Sequence, residues 1–272
     1  MTTTIENGRI EAAFERLKAE GRKALITFIT AGDPDLSSTK DIILALEDAG
    51  ADIIELGVPF SDPMADGPTI QASSERAVKK GTHLKDVLRL VKDVRKETEV
   101  PVVLFGYYNP VFNYGLKRFA RDARSAGADG ALIVDLPAEE AGELKERLDE
   151  ESLDMIFLLT PTSNLQRMEL VASKASGFIY FVSVTGVTGA RSSVSGDAKG
   201  YVAKIRKVTD LPVGVGFGIS TPAQAKEVAK YADAVIVGSA IVNVIAKNPA
   251  NRKKLVGEVK KFVSGLRAAM DS

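Results

Sequence analysis

The chain alternates between short apolar runs and amphipathic segments, and this alternation restricts the folds that it can adopt. Eight runs are apolar on consecutive residues, which is typical of parallel strands that are covered on both faces. The runs are 24–30, 52–56, 100–105, 130–134, 155–159, 178–182, 213–216 and 234–237. Helices are predicted between them at 37–49, 83–96, 116–126, 139–151, 165–175, 199–208, 222–230 and 239–246.

A short phrase recurs where a predicted helix leads into a strand. Asp48-Ala-Gly-Ala-Asp52 and Ser125-Ala-Gly-Ala-Asp129 are nearly identical, and Tyr231-Ala-Asp233 is a looser copy. Glycine suits a left-handed helix cap, and the following Asp begins the turn into the strand. The repeat indicates stacked βα units, and no low-complexity linker divides the chain, so one domain over 1–272 is predicted.

Eight βα units in 272 residues predict a single (β/α)8 TIM barrel of the α/β class. A doubly wound open sheet uses the same units, but the even spacing and the absence of G-x-G-x-x-G at the first unit favour the barrel. An extra N-terminal helix is predicted at 9–20, with Ile10, Phe14 and Leu17 on one face. A terminal helix is predicted at 251–270, and its apolar face is formed by Leu255, Val259, Phe262, Val263 and Leu266. Both are expected to cover the barrel.

Composition excludes several kinds of chemistry. Basic and acidic residues both number 36, so no basic excess predicts nucleic-acid binding. The absence of cysteine excludes disulfides and thiolate sites, and the single histidine, His83, excludes multi-histidine metal sites. His83 is expected to be a solvated residue at a helix start. The N-terminus lacks the apolar core of a secretory signal and the longest apolar run, 234–246, is too short to span a bilayer, so a cytoplasmic protein without a metal is expected.

Three carboxylates lie within 12 positions around the second predicted strand. Glu55 closes that strand, and Asp62 and Asp66 follow in a loop rich in Gly and Pro. Active sites of barrels lie at the carboxyl ends of the strands, where low dielectric raises the pKa of a carboxyl toward neutrality. Glu55 is therefore either a proton-transfer group or the partner of a basic group inside the barrel mouth. Asp66 either faces the substrate or forms a turn before a helix start at Pro68, and a turn role is favoured for Asp62.

Glycines follow the last three predicted strands. The loops after strands seven and eight contain Gly218, Gly238 and Ser239 at a helix start, and such loops form the recurrent phosphate site of this fold. The Gly-rich stretch 185–196 after strand six is either a surface loop or a lid that excludes water.

Apolar and aromatic side chains near the predicted strand ends either fill the barrel or line a ligand pocket. The segment 105–110, with two tyrosines and an asparagine in a loop, favours a flat and partly polar ligand. The residues of this group are Phe28, Phe105, Tyr107, Leu132, Leu158, Tyr180 and Phe217.

Seven motifs in order make the chain resemble the tryptophan synthase alpha subunit family over essentially its whole length. The most specific is Glu55-Leu-Gly-Val-Pro-Phe-Ser-Asp-Pro-Met-Ala-Asp-Gly-Pro-Thr-Ile-Gln71. The others are Phe28-Ile-Thr-Ala-Gly-Asp-Pro34, Tyr108-Asn-Pro, Asp135-Leu-Pro, Ser183-Val-Thr-Gly-Val-Thr-Gly189, Gly216-Phe-Gly-Ile-Ser220 and Gly238-Ser-Ala.

The resemblance implies a cofactor-free retro-aldol cleavage of indole-3-glycerol phosphate to indole and glyceraldehyde 3-phosphate. It implies that Glu55 is the acid/base at indole C3, that Asp66 binds the indole N–H and that Tyr180 positions the substrate. Thr188 would be a lid residue that contacts Asp66. The implied phosphate site is Gly189, Gly218, Gly238 and Ser239, and the implied indole pocket is Phe28, Tyr107, Leu132, Leu158 and Phe217.

The resemblance also implies a partner, a pyridoxal-phosphate-dependent beta subunit in an α2β2 heterotetramer, which receives the indole. The segments 59–63 and 109–112 match the contact surface of the family. Two other functions stay open: a phosphosugar isomerase on the same type of barrel, and a catalytically silent subunit that only activates its partner. Retention of both Glu55 and Asp66 favours the lyase.

Overall fold

The computed structural model describes residues 8–183, 195–216, 218–248 and 250–272. Eight parallel strands pair in sequence order, and β8 closes onto β1, so the sheet is a closed barrel. The predicted TIM barrel is confirmed, and the open sheet is excluded. The strands are β1 Ala24–Thr30, β2 Ile53–Gly57, β3 Val102–Gly106, β4 Gly130–Ile133, β5 Asp154–Leu159, β6 Ile179–Val182, β7 Val213–Gly216 and β8 Ala234–Val237.

Helices surround the barrel in the part of the chain that is described. They are α1 Arg9–Ala19, α2 Leu36–Asp48, α3 Pro68–Lys79, α4 Leu84–Val94, α5 Tyr108–Tyr114, α6 Leu116–Ala126, α7 Gly142–Glu150, α8 Leu165–Lys174, α9 Ser195–Ile205, α10 Pro222–Ala229, α11 Ser239–Lys247 and α12 Arg252–Met270. The helix start at Pro68 is confirmed, and exposed His83 stands immediately before α4, as expected.

Three predictions about helices were wrong in detail. The segment after β3, predicted as a loop, contains the short helix α5. Helix α7 begins at Gly142 rather than 139, because the preceding residues form a turn in which the Glu140 N–H bonds to the Pro137 carbonyl. Helix α9 begins at Ser195, in a small and polar stretch that has no apolar periodicity to reveal it.

The inside of the barrel is a separate apolar core, and α1 closes its amino-terminal end. Ile10, Phe14 and Leu17 belong to the cluster that fills the barrel, and the Phe14 ring lies 6.0 Å from that of Phe178. The other residues of this cluster are Phe178, which immediately precedes β6, and the strand residues Ala24, Ile26, Ile53, Val103, Leu132, Ile156, Ala234 and Ile236. The larger outer core lies between sheet and helices and includes the buried face of α12, as predicted. With its lower end plugged, the barrel opens toward the carboxyl ends of its strands.

Side chains at the amino-terminal rim tie the strands together in pairs. Asp52, which precedes β2, accepts the Leu25 N–H of β1 at 2.9 Å, and Asp129, which precedes β4, accepts the Val102 N–H of β3 at 2.8 Å. Ser176 before β6 and Asp233 before β8 bond in the same way to the neighbouring Met155 and Val213 N–H groups, at 2.9 and 3.1 Å. The residue that precedes each even-numbered strand thus accepts a hydrogen bond from the start of the preceding odd-numbered strand. This role explains the Asp of the repeated phrase.

The glycine of the repeated phrase makes room for an arginine. Gly50 and Gly127 have φ of 96° and 91°, and a Cβ there would lie 2.6 Å from Arg267 Cγ and 2.9 Å from Arg95 Cγ, respectively. Arg95 pairs with Asp129 at 3.0 Å, and Arg267 pairs with Asp52 at 3.3 Å. Because both carboxylates are buried, each is compensated by backbone N–H donors and guanidinium groups.

We expect Asp129→Ala to lower the free energy of unfolding by about 3 kcal/mol or more, because it leaves the buried Arg95 guanidinium without its counter-ion. Urea unfolding followed by circular dichroism measures the loss. Asp93→Ala is the control, because the Asp93–Lys96 pair is exposed, and its removal should cost much less than that of Asp129. Equal losses in the two variants would show that the rim pair does not contribute specifically.

Candidate active site

Glu55 is buried inside the barrel, and none of the described residues compensates its carboxyl group. It is the third of the five residues of β2, so it lies two residues before the end of the strand and not at the end, where it was predicted. Its side chain points to the same face as the interior residue Ile53, because side chains of a strand alternate. Glu55 is fully buried, and neither carboxyl oxygen has a hydrogen-bond partner in the described part of the chain. The predicted alternative, an ion pair with a basic group, is therefore not formed by the described residues.

Burial controls the protonation of Glu55. Desolvation disfavours the carboxylate and raises the pKa of Glu55 to about 8. At pH 7 the carboxyl is therefore mainly protonated, and it can give up its proton near neutrality, as a general acid requires.

Asp66 is the second carboxyl of the site and is less strongly perturbed. It lies in the segment 58–67 between β2 and α3, and the Tyr107 hydroxyl donates to its Oδ2 at 3.0 Å. Burial raises the pKa of Asp66 to about 6, and the hydrogen bond from Tyr107 opposes the rise. The Asp66 carboxylate accepts this side-chain hydroxyl, while the Asp66 N–H bonds to the Pro63 carbonyl in a turn before α3. Asp62 is exposed, and its side chain accepts the hydroxyl of the adjacent Ser61.

Tyr180 on β6 lies near both carboxyls. Burial raises its pKa well above the ordinary value, and the charges of Glu55 and Asp66 raise it further. The ring needs the glycine at position 216 on the adjacent strand β7, because a Cβ there would lie 2.4 Å from the Tyr180 hydroxyl. Strands β2 and β6 and one loop thus bring the three catalytic candidates Glu55, Asp66 and Tyr180 together.

Aromatic side chains form the wall beside these groups. The rings of Phe28 and Phe105 meet edge to face with centroids 5.0 Å apart, and both line a small cavity with Asp66 and Tyr107. Of the other predicted pocket residues, Leu132 is fully buried in the barrel core and Leu158 is half-buried. Phe217 lies outside the described residues.

Three of the four predicted anion-binding residues are described, and they lie beyond the ends of β7 and β8. Gly218 has φ of 75°, a left-handed conformation that favours glycine. Gly238 is the residue before α11, and Ser239 is the exposed first residue of that helix. The amino terminus of a helix attracts anions through its free N–H groups and its dipole. Gly189, like the predicted lid residue Thr188, lies outside the described residues.

The chain matches known proteins over nearly its full length. The family model "Tryptophan synthase alpha chain" matches residues 14–271. The chain belongs to the tryptophan synthase alpha chain family. It is 57% identical to the alpha chain of Geobacter sp. (strain M21), covering 95% of this chain and 96% of that protein. It is 49% identical to the alpha chain of Thermoanaerobacter sp. (strain X514), covering 96% and 99%.

Solved structures of the family have the same architecture. The alpha subunit from Legionella pneumophila str. Paris superimposes with a TM-score of 0.90 at 40% identity, covering 97% of this chain and 99% of that one. A chain of tryptophan synthase from M. tuberculosis, in an aminoacrylate-bound form, superimposes with a TM-score of 0.87 at 34% identity, covering 97% and 100%.

As a tryptophan synthase alpha chain, the protein is a carbon–carbon lyase of tryptophan biosynthesis. It cleaves indole-3-glycerol phosphate to indole and glyceraldehyde 3-phosphate. The family assignment excludes the alternative of a phosphosugar isomerase. Within the described ranges, no helix is both long and apolar enough to cross a membrane, and no cluster of three or more His, Asp or Glu side chains is arranged to hold a metal ion.

The hydrogen bond between Tyr107 and Asp66 is the feature of the site that could not be anticipated. The two residues are 41 positions apart, and Tyr107 was expected only as a residue of the ligand pocket. The bond forms because α5 starts immediately after Tyr107, and the Tyr108 N–H at that start is held by Asp135 at 2.7 Å. Only the adjacency of strands β2 and β3 in a barrel could have suggested that the two loops meet.

Glu55→Gln should stabilise the protein in a pH-dependent way. The pKa of Glu55 is about 8 in the folded state against an ordinary value of 4.5. The contribution of Glu55 to wild-type stability is therefore fully present below about pH 4.5 and is lost as the pH rises toward 8. Glutamine has no proton to lose, so the advantage of the variant should grow across this window and level off above it. Urea unfolding at several pH values measures the difference.

Glu169→Gln on the exposed face of α8 serves as the control, because an exposed carboxyl should give no such pH-dependent difference. A Glu55→Gln advantage that does not change between pH 4.5 and pH 8 would contradict the raised pKa.

Proposed function

We propose that Glu55 and Asp66 perform the acid–base chemistry of the cleavage and that their different environments assign their roles. The observation that carries the proposal is the difference between their environments: Glu55 is fully buried with no hydrogen-bond partner among the described residues, whereas Asp66 accepts the Tyr107 hydroxyl. Burial raises the pKa of Glu55 to about 8 and that of Asp66 to about 6. At pH 7 the first carboxyl is mainly protonated and the second mainly ionised, which supplies an acid and an anion in one site.

The reaction requires a proton at indole C3 and the loss of a proton from the glycerol hydroxyl. Glu55 donates its proton to C3, which becomes tetrahedral and leaves positive charge on the ring nitrogen. The carboxylate of Glu55 then accepts the proton of the glycerol C3′ hydroxyl. The C3–C3′ bond breaks, its electron pair returns to the ring, and indole and the aldehyde leave with no net change in protons. Asp66 binds the indole N–H and stabilises the charge that develops on the nitrogen, and stabilisation of charge that appears only during reaction is what accelerates it.

The remaining candidates bind and enclose the substrate in this proposal. Tyr180 positions the reacting atoms beside Glu55, and its closeness to both carboxyls supports that role. The indole ring packs among Phe28, Tyr107, Leu132, Leu158 and Phe217. The phosphate of the substrate binds at Gly189, Gly218, Gly238 and Ser239. Thr188 belongs to a lid that contacts Asp66. The Cβ contact of 3.3 Å that a side chain at 238 would make with Phe28 indicates that the phosphate and indole subsites adjoin.

The indole is passed to a beta subunit, and we propose that this partner binds at the segments 59–63 and 109–112. Two large apolar side chains at or beside these segments support a contact surface, because Met64 is 86% exposed and Phe112 is 60% exposed. The partner would carry the pyridoxal phosphate, and the complex would be an α2β2 heterotetramer. We further propose that the alpha chain is a single cytoplasmic domain over 1–272 that uses no cofactor and binds neither nucleic acid nor membrane.

Indole release from indole-3-glycerol phosphate tests the proposal. The purified chain should form indole, and the rate should rise when a beta subunit is added. No indole in either condition, from a folded chain that still binds the substrate, would favour a silent subunit that only activates its partner.

In the same assay, Glu55→Gln should lower kcat by about 10²–10⁴ with little loss of substrate binding, because the amide cannot transfer the proton. Asp66→Asn should also lower kcat, because it removes the anion. Asp149→Asn is the control, since Asp149 is exposed on α7 and outside both the proposed site and the proposed partner contact. Near-normal turnover of Glu55→Gln would refute its role as the acid/base.

A further inference from the structure

A buried serine of α3 closes the loop that carries Asp66. The Ser74 hydroxyl accepts the Phe60 N–H at 2.8 Å and donates to the Phe60 carbonyl at 2.8 Å. One side chain therefore satisfies both polar groups of one backbone residue. Ser74 is 5% exposed, so water does not readily replace these bonds.

Helix α3 provides a fixed support for Ser74. The Arg76 guanidinium forms two hydrogen bonds with the Asp33 carboxylate, at 2.8 and 2.7 Å, and Asp33 is 2% exposed. A two-point arginine–carboxylate bond is directional and holds the helix against the loop after β1. The position of the Ser74 hydroxyl is thereby fixed relative to the barrel.

Phe60 transmits this position to Tyr107. Their ring centroids are 5.3 Å apart, and the planes are tilted by 33°. Tyr107 is 5% exposed and has the Phe60 ring against one side. Displacement of the Phe60 backbone would remove this contact and let the Tyr107 ring shift.

The hydroxyl of Tyr107 sets the orientation of Asp66. It accepts the Ala65 N–H at 3.0 Å and donates to Asp66 Oδ2 at 3.0 Å, so it holds both the backbone and the carboxylate at the far end of the same loop. Ser74 and Asp66 are thus connected through Phe60 and Tyr107 by contacts that are all formed by described residues.

We infer that Ser74 is a positioning residue for Asp66, and that it acts by fixing Phe60 against Tyr107. Ser74 itself does not touch the reacting atoms. The inference rests on the proposed role of Asp66 in turnover, and it adds a residue on the helix that follows the loop. Its loss should affect the placement of the carboxylate rather than the binding of substrate.

The test compares two neighbouring serines. Ser74→Ala should lower kcat for indole formation by about tenfold with KM changed by less than about twofold, because small misplacements of a catalytic group are costly. Ser73→Ala is the matched control: Ser73 is also buried on α3, but its hydroxyl contacts Thr30 and the Ile70 carbonyl instead of the loop. It should retain kcat within about twofold, a smaller effect than the tenfold loss expected of a misplaced catalytic group. Ser74→Thr keeps the hydroxyl and should recover most of the lost activity.

A double-mutant cycle separates positioning from general destabilisation. If Ser74 acts through Tyr107, adding Ser74→Ala to Tyr107→Phe should lower kcat no further than Tyr107→Phe alone. Thermal unfolding of all variants confirms that each is folded at the assay temperature. Additive losses in the cycle, or equal losses in Ser73→Ala and Ser74→Ala, would overturn the inference.

Failure of the inference can be told apart from failure of the proposed function. If Asp66→Asn is inactive while Ser74→Ala retains full kcat, only the role of Ser74 is wrong. If Asp66→Asn itself turns over normally, the proposed role of Asp66 fails first.

Discussion

The burial of one carboxyl group without a counter-charge is the constraint on which the rest of the site depends. Glu55 lies inside a barrel whose interior is otherwise almost wholly apolar, and the described residues offer its oxygens no hydrogen bond. In water the group would be ionised at neutral pH, but here desolvation keeps it mainly protonated. The desolvation that makes ionised Glu55 unfavourable for folding also makes the group useful in catalysis, because a carboxyl with a pKa near 8 both gives and accepts a proton near neutrality. The family assignment supplies the reaction that needs such a group.

Acidic residues have opposite environments at the two ends of the barrel. At the amino-terminal rim, Asp52, Asp129 and Asp233 each accept a strand N–H and pair with cationic side chains. These carboxylates fasten strands together and are compensated. Toward the carboxyl ends, Glu55 has no hydrogen-bond partner among the described residues, and Asp66 accepts the neutral hydroxyl of Tyr107. The rim residues therefore connect neighbouring strands, whereas the carboxyl groups near the other end are left to act on a ligand.

The sequence predicted most of the fold, because the strands of a parallel barrel are read from consecutive apolar residues and these runs are local. Strand limits moved by no more than two residues, and the shift of β2 by one residue put Glu55 at its centre instead of near its end. Helix α5 was missed because Tyr108–Tyr114 is only seven residues long and contains a Pro, and Asp135 from the next strand's loop supports its first turn. The carboxylates were found from their spacing in one segment. The contacts of Tyr107 and Ser74 were not predicted, because they join residues that become neighbours only when the barrel closes and the loop folds over α3.

The most direct test is titration of the two carboxyl groups by ¹³C NMR of protein labelled at the side-chain carboxyl carbons of Glu and Asp. The Glu55 resonance is identified by its absence from the spectrum of Glu55→Gln, and that of Asp66 by its absence from Asp66→Asn. The midpoints should lie at about pH 8 for Glu55 and about pH 6 for Asp66. Midpoints near the ordinary values of 4.5 and 3.8 would contradict the assignment of acid and anion by burial.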